Sequence, residues 1–295
     1  MKKVLFVLLL AAGTLTGYAQ EDTTTKKSEI HEESDTIRVG GIIIIKKKGD
    51  DGDSEYKVTP EKKYQHKNRS KRDNITTNWL VFDVGYSGYN DKTDFSTQEA
   101  QDFLQFQNGV PASKGDYSLR AGRISNFNLW LFLQRVNIYK HVVNLKYGFG
   151  IETNNYFYKN PITYVDGPSP FTFRDSVNFS RNKIAADFFT VPVMININTN
   201  PGGGRWGGFQ ISFGVSGGYL YSSRQKQVSN ERGKQKQRTD FNLNKWKLAY
   251  VAELGLGPVK LYGSYSMTTL HTFGLDQFPY NIGVRVTLFQ ENFSY

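Results

Sequence analysis

"YNIGVRVTLF", Tyr280 to Phe289, is the stretch whose reading decides the fold. Taken at every second residue, Tyr280, Ile282, Val284, Val286 and Leu288 form one face, and Asn281, Gly283, Arg285 and Thr287 form the other. A period of two with one apolar and one polar face marks a strand between two unlike environments. The same pattern runs through "FQISFGVSGGYLY" (Phe209 to Tyr221) and "VNLKYGFGIE" (Val143 to Glu152).

Extended along the chain, this pattern predicts eight strands, near 78–88, 124–135, 142–157, 183–198, 208–222, 241–255, 258–270 and 279–290. Each is long enough for the roughly 9 to 11 residues of a tilted membrane-spanning strand. Long polar connections follow the first, third and fifth strands, whereas "NPGGGRWGG" and "GLGP" read as tight turns. Short turns at one end and long loops at the other are the plan of an eight-stranded antiparallel up-and-down transmembrane β-barrel. A soluble lipocalin-like barrel shares the strand count. Two features favour the apolar face pointing outward. Glycines ride on the polar phase, where a narrow barrel needs room. Aromatic residues gather at the strand ends, with Trp79, Tyr139, Trp206 and Phe289 at one end and Tyr156, Tyr158, Tyr219, Tyr221, Trp246 and Tyr280 at the other, as bilayer interfaces favour.

The polar phase carries Asp83, Lys146, Glu152, Lys247, Glu253, Lys260 and Arg285. On a lipid face a mid-depth Lys or Arg costs roughly 2 to 4 kcal/mol, so these charges are expected inside, as a self-neutralising plug. A two-residue turn at Leu256–Gly257 would set Glu253 opposite Lys260, and barrel closure would set Asp83 near Arg285. An eight-stranded interior is just wide enough for side chains to fill.

Upstream of the strands the composition changes. Residues 1–20, "MKKVLFVLLLAAGTLTGYAQ", have two lysines, a short apolar run and small residues, the plan of a signal peptide. The run is too short to cross a bilayer as a helix. Residues 21–75 are dominated by charged and hydroxylated side chains, which bury too little to offset ordering. They are expected to form a mostly disordered periplasmic linker, with a short strand-like segment near 37–47. Within it Ile42 to Ile45 are followed by Lys46, Lys47 and Lys48, charges that guard an exposed strand against pairing. The barrel domain is expected over 76–295. The chain has no cysteine, hence no disulfide and no lipid-modified cysteine.

Chemical motifs are sparse. The four histidines, His31, His66, His141 and His271, are scattered, so no metal site is expected. Asp51, Asp53 and Glu55 echo a calcium loop without its later ligand. His271 with Ser264 and Ser266 offers a lipid-modifying enzyme as the alternative function, but the serines lie on the inward phase. No catalytic residue and no cofactor is expected. The third long connection, "SRQKQVSNERGKQKQRTD", carries Arg224, Lys226, Arg232, Lys234, Lys236 and Arg238, a basic loop able to meet lipopolysaccharide phosphates by charge attraction. The net charge is +10, yet nucleic acid is not an expected partner for an exported chain. The expected partners are outer-membrane lipid and an envelope protein reached through the linker.

Four stretches, "LKYGFGIETNNYFY", "FFTVPVMININTN" with Pro192 inside it, "ELGLGPVKLYGSYS" and "YNIGVRVTLF", resemble the outer-membrane β-barrel domain widespread in Bacteroidetes, the group related to PorT. The resemblance covers about 76–295, and "DTIRVGGIIIIKKKG" resembles a segment that often precedes such barrels. It implies a cell outer membrane location and an eight-stranded barrel. Some members assist protein secretion, which would make this chain a secretion accessory. No catalytic signature carries over.

Overall fold

The computed structural model describes residues 36–39, 42–48, 54–60, 74–105, 110–167, 169–201, 208–256 and 259–289. The chain divides into two units, Met1–Asn68 and Arg69–Tyr295. The expected signal peptide lies outside the described residues.

In the first unit β1 (Thr36–Val39), β2 (Ile42–Lys48) and β3 (Ser54–Pro60) form a three-stranded antiparallel meander. The isoleucine run is its central strand. Ile42 to Ile45 pair with Val39 to Thr36 on one side and with Pro60 to Lys57 on the other. Consecutive β-branched residues suit such a position, because both hydrogen-bonding edges of β2 are satisfied within the sheet.

The second unit is built on β4 (Ile75–Asp91), β6 (Asn126–Tyr139), β7 (Val143–Phe157), β10 (Arg181–Asn198), β11 (Phe209–Ser229), β13 (Trp246–Leu256), β14 (Val259–Ser266) and β15 (Gln277–Phe289). Each pairs antiparallel with the next, and β15 pairs with β4, so these eight strands close into an up-and-down barrel. The expected eight-stranded fold is present. Several strand ends differ from the pattern reading: the first strand spans Ile75–Asp91 rather than 78–88, the second runs to Tyr139 rather than near 135 and the fifth to Ser229 rather than near 222, whereas the sixth begins only at Trp246 rather than near 241 and the seventh already ends at Ser266 rather than near 270. The intervening residues fold over one mouth of the barrel instead.

The barrel is apolar outside and polar inside. Ile282 is 62% exposed and Phe213 52%, whereas Asp83 is 1% and Lys146 4%. Phe82, Val84, Phe127, Val191, Val193, Val215, Leu248, Leu254 and Leu261 continue the exposed band over the other strands, and on β7 Leu145, Phe149 and Ile151 are half-buried on the same phase. An exposed apolar surface of that extent needs a partner phase other than water, which excludes the soluble lipocalin-like alternative.

Local irregularities serve this arrangement. Leu80 adopts a left-handed backbone, φ 52, and has no paired residue between Trp79 and Val81. This local kink, across which the register to both neighbouring strands is unchanged, lets Trp79, Leu80 and Phe82 all face outward while Val81 is buried. Pro192 keeps its register with Ser216 on β11, but the ladder to β7 is interrupted at Val191 and Pro192, because proline has no N–H to donate. Gly85 and Gly283 face each other under the Tyr262 ring. A Cβ at Gly85 would lie 2.7 Å from the Tyr262 hydroxyl, and one at Gly283 2.8 Å from the ring, so only glycine admits that ring into the lumen.

The turn between β13 and β14 corrects the sequence reading. Leu256 pairs with Val259, so residues 257 and 258 connect the strands, and Glu253 faces Tyr262 rather than Lys260. The slip is by two positions, which preserves the face of every side chain.

Candidate functional site: a filled lumen and a basic outer rim

Six of the seven expected interior charges form ion pairs in the barrel. The Arg285 guanidinium donates to both Asp83 oxygens at 2.6 Å, fulfilling the cross-strand pairing expected from closure. It also pairs with Glu253, which in turn receives Lys146. Asp83 accepts further bonds from Trp130 Nε1 at 2.7 Å and Asn128 Nδ2 at 3.1 Å. A second centre joins Glu152 to Lys247, with Asn154 and Asn281 each donating to Glu152 at 2.9 Å. Lys260 is half-buried beside Arg285 and takes part in none of these ion pairs. The Arg285 guanidinium also lies 5.0 Å from the Trp130 ring centroid and 5.7 Å from that of Tyr262. Beside Trp130, Met194, Tyr262 and Arg285 the space left suits little more than water. The lumen is a cross-linked plug.

The mouth at the long-loop end is closed as well. Helix α1 (Gln98–Phe103), capped by Thr97, leads into β5 (Leu104–Gln105), which joins β9 (Phe171–Arg174) and β8 (Ile162–Val165) in a small sheet. Phe103, Leu104, Tyr117, Tyr158, Ile162 and Tyr164 are buried there against Phe188, Leu220, Phe241 and Leu270. Tyr156 and Tyr158, expected in an exposed girdle, belong to this core. They fall on the inward phase, and the connections above cover them. Tyr219, Tyr221 and Trp246 are exposed as the girdle requires. Trp79 and Tyr139 are exposed at the opposite end; Trp206 and the Phe289 side chain lie outside what is described.

His271 sits fully buried in the same core. Its ring stacks on Tyr164 at 5.8 Å with an interplanar angle of 5°, and Phe103 meets it edge-on at 5.4 Å. Nε2 lies 3.4 Å from the Tyr164 hydroxyl. Burial lowers the imidazole pKa to about 3, so the ring is neutral at physiological pH. Ser266 is committed to the Thr268 carbonyl at 2.7 Å, and neither serine reaches the imidazole. The lipid-modifying constellation therefore does not assemble. Among the described residues no cluster of metal-ligating side chains forms.

Two ion pairs pin the cap. Arg174 binds Asp116 at 2.5 Å; burial would raise the Asp116 carboxyl, but hydrogen bonds from Arg174 and Ser113 bring it below its ordinary value. Arg232 reaches both oxygens of Asp175, at 2.7 and 3.1 Å.

This divides the expected basic loop. Strand β11 runs on to Ser229 and turns into β12 (Gly233–Gln237), so the loop is a hairpin. Arg232 is spent on Asp175 and Arg224 on Asp187. Lys226, Lys234 and Lys236 share the outer face of the hairpin, and Arg238 is exposed just beyond it. Pattern reading missed two neighbours: Lys183 pairs with Lys226, and Arg181 with Val228. Both lie on the outward phase of β10. Only the β10–β11 register, invisible in the local sequence, brings them to the hairpin.

No family model matches the chain, and no curated protein matches it. Among solved structures, Ail, the attachment invasion locus protein of Yersinia pestis, determined in complex with the heparin analogue sucrose octasulfate, is similar at a TM-score of 0.28 and 12% identity. The match covers 71% of this chain and 98% of that one. Likeness at that level adds nothing to the architecture already described.

Proposed function

We propose that the chain is a non-enzymatic outer-membrane β-barrel that serves the cell envelope as a structural or interaction protein. The observation that carries this reading is the inversion of the barrel: an apolar exterior bounded by aromatic ends surrounds a lumen cross-linked through Arg285, Asp83, Glu253 and Lys146. Such a wall suits lipid, and such a lumen conducts no solute. The long-loop end then faces the cell exterior and the short turns face the periplasm, where the meander of β1 to β3 would stand as a contact element for an envelope protein. A secretion accessory role is the finer form of this reading, and it rests on the resemblance of the strand sequences.

The test is to separate the membranes and compare boiled with unboiled electrophoretic mobility, then to reconstitute the chain in planar bilayers. Recovery with the outer membrane, a heat-dependent shift and no stepwise conductance are expected. A soluble periplasmic chain without the shift, or discrete open-channel currents, would overturn the proposal.

A further inference from the structure

Across the outer rim, three adjacent strands present lysines abreast. Lys183 on β10 faces Lys226 on β11, which faces Lys236 on β12. Directly opposed side chains on paired strands stand about 4.5 to 5.5 Å apart at Cβ, so three ammonium groups crowd one short row. Arg181 and Lys234 flank Val228 one step further out. At the other end of the row, Arg123 and Lys183 both sit over the Phe157 ring, 5.4 and 5.3 Å from its centroid. Among the described residues none of these six basic side chains has a carboxylate ion-pair partner. The acidic groups nearby are already bound, Asp187 by Arg224 and Asp175 by Arg232.

Like charges directly opposed across strands destabilise a sheet. Burial and the neighbouring cations act on the row in the same direction. Desolvation, with Arg224, Lys226 and Arg181, brings Lys183 down to about 8, against the opposing pull of Asp187. Lys226 is lowered in the same direction by desolvation and by Lys234, Arg181 and Lys236.

The position of the row selects among anions. Its side chains lie on the outward phase of β10 and β11, the phase that continues down the same strands through Phe189 and Tyr221 into Val191, Val193, Val215 and Phe213. Phe189 and Tyr221 stack at 4.3 Å further down the wall, beyond the Arg224–Asp187 ion pair. A ligand held by the lysines would therefore have its charge at the rim and apolar, aromatic surface beneath. A soluble polyanion has no use for that lower surface; a phosphorylated lipid whose acyl chains run down the barrel wall fits both parts.

Resting on the membrane reading above, we infer that the outward face of β10, β11 and β12 is a binding site for the phosphate groups of an outer-leaflet lipid, with Lys183, Lys226 and Lys236 as its centre. Sequence inspection pointed to six basic residues of one loop; the site instead excludes Arg224 and Arg232 and recruits Arg181, Lys183 and Arg123.

The experiment places the folded chain in phosphatidylcholine nanodiscs and titrates bisphosphorylated lipid A carrying a fluorescent acyl chain. With each surface lysine contributing about fivefold, the K183Q/K226Q/K236Q variant is expected to bind about a hundredfold more weakly. A charge-matched K92Q/K114Q/K159Q variant should bind within twofold of wild type. Lipid A stripped of its phosphates should bind weakly, and inorganic phosphate should fail to displace the bound lipid. Unchanged affinity in the triple variant, equal binding of the dephosphorylated lipid, or ready displacement by inorganic phosphate would each overturn the site. Every variant is also run boiled and unboiled. A retained heat shift with unchanged lipid A affinity overturns this inference alone, whereas a wild-type chain lacking the shift overturns the membrane reading beneath it.

Discussion

Arg285 is the residue on which the lumen turns, because its guanidinium answers two carboxylates, Asp83 and Glu253, that lie on different strands. Removing one member of a buried ion pair costs about 3–5 kcal/mol, since the other charge is left unanswered. Arg285→Met leaves Asp83 without a counter-charge and Glu253 with Lys146 alone, and is expected to lower the unfolding free energy of the reconstituted barrel, read from a urea titration, by about 3–5 kcal/mol. Adding Asp83→Leu to Arg285→Met should return part of the loss. A single-variant loss below about 1 kcal/mol would show that the pairs contribute little. His271 sets a second expectation. Its folded-state pKa lies below the ordinary value of 6.5, so the unfolded chain binds more protons between pH 6.5 and about 3. The contribution of neutral His271 is complete above pH 6.5 and declines as pH falls through that window, by at most about 1.4 kcal/mol per pH unit. Cap stability, followed by near-ultraviolet dichroism, should fall more steeply with acidification in wild type than in His271→Gln. Parallel pH profiles would contradict it.

Among the elements, β11 shows both of the environments the chain must meet. Its lower part alternates exposed Phe213, Val215 and Tyr219 with buried Ser212 and Ser216. Its upper part carries Lys226 on the outer face. An arginine at the bilayer midplane costs about 2–4 kcal/mol, so Val215→Arg should destabilise the barrel by that amount, while Lys236→Ala on β12, which relieves repulsion with Lys226, should cost no stability. Equal effects in a denaturant titration in lipid would contradict the assignment of depth. The eight strands were legible because alternation is local: each strand states its own two faces, and the parity of Arg285 or Lys146 needs no neighbour to be read. Register is less local. A turn at Leu256–Gly257 and one at residues 257 and 258 keep identical parity, so Glu253 could be assigned inward and still be given Lys260 in place of Tyr262. The cap was not legible, because Asp116 meets Arg174 and Asp175 meets Arg232 across 58 and 57 residues of chain. The lysine row was half legible for the same reason: Lys226 and Lys236 belong to one loop, but Lys183 joins them only through pairing with β10.

For the molecule as a whole, one polarity governs everything else. A wall that is apolar outside and charged inside places the barrel in lipid, makes its lumen a plug and sets the basic row at a membrane surface. The chain has no cysteine, so single cysteines can be introduced without background and spin-labelled. The decisive measurement takes labels at residues 212, 213, 215 and 216 of β11 in vesicles and compares collision with lipid-soluble oxygen against collision with a water-soluble nickel chelate. High oxygen and low chelate access at 213 and 215, with low oxygen access at 212 and 216, is the predicted result. Chelate access at 213 and 215, or no alternation along the strand, would contradict the inverted barrel.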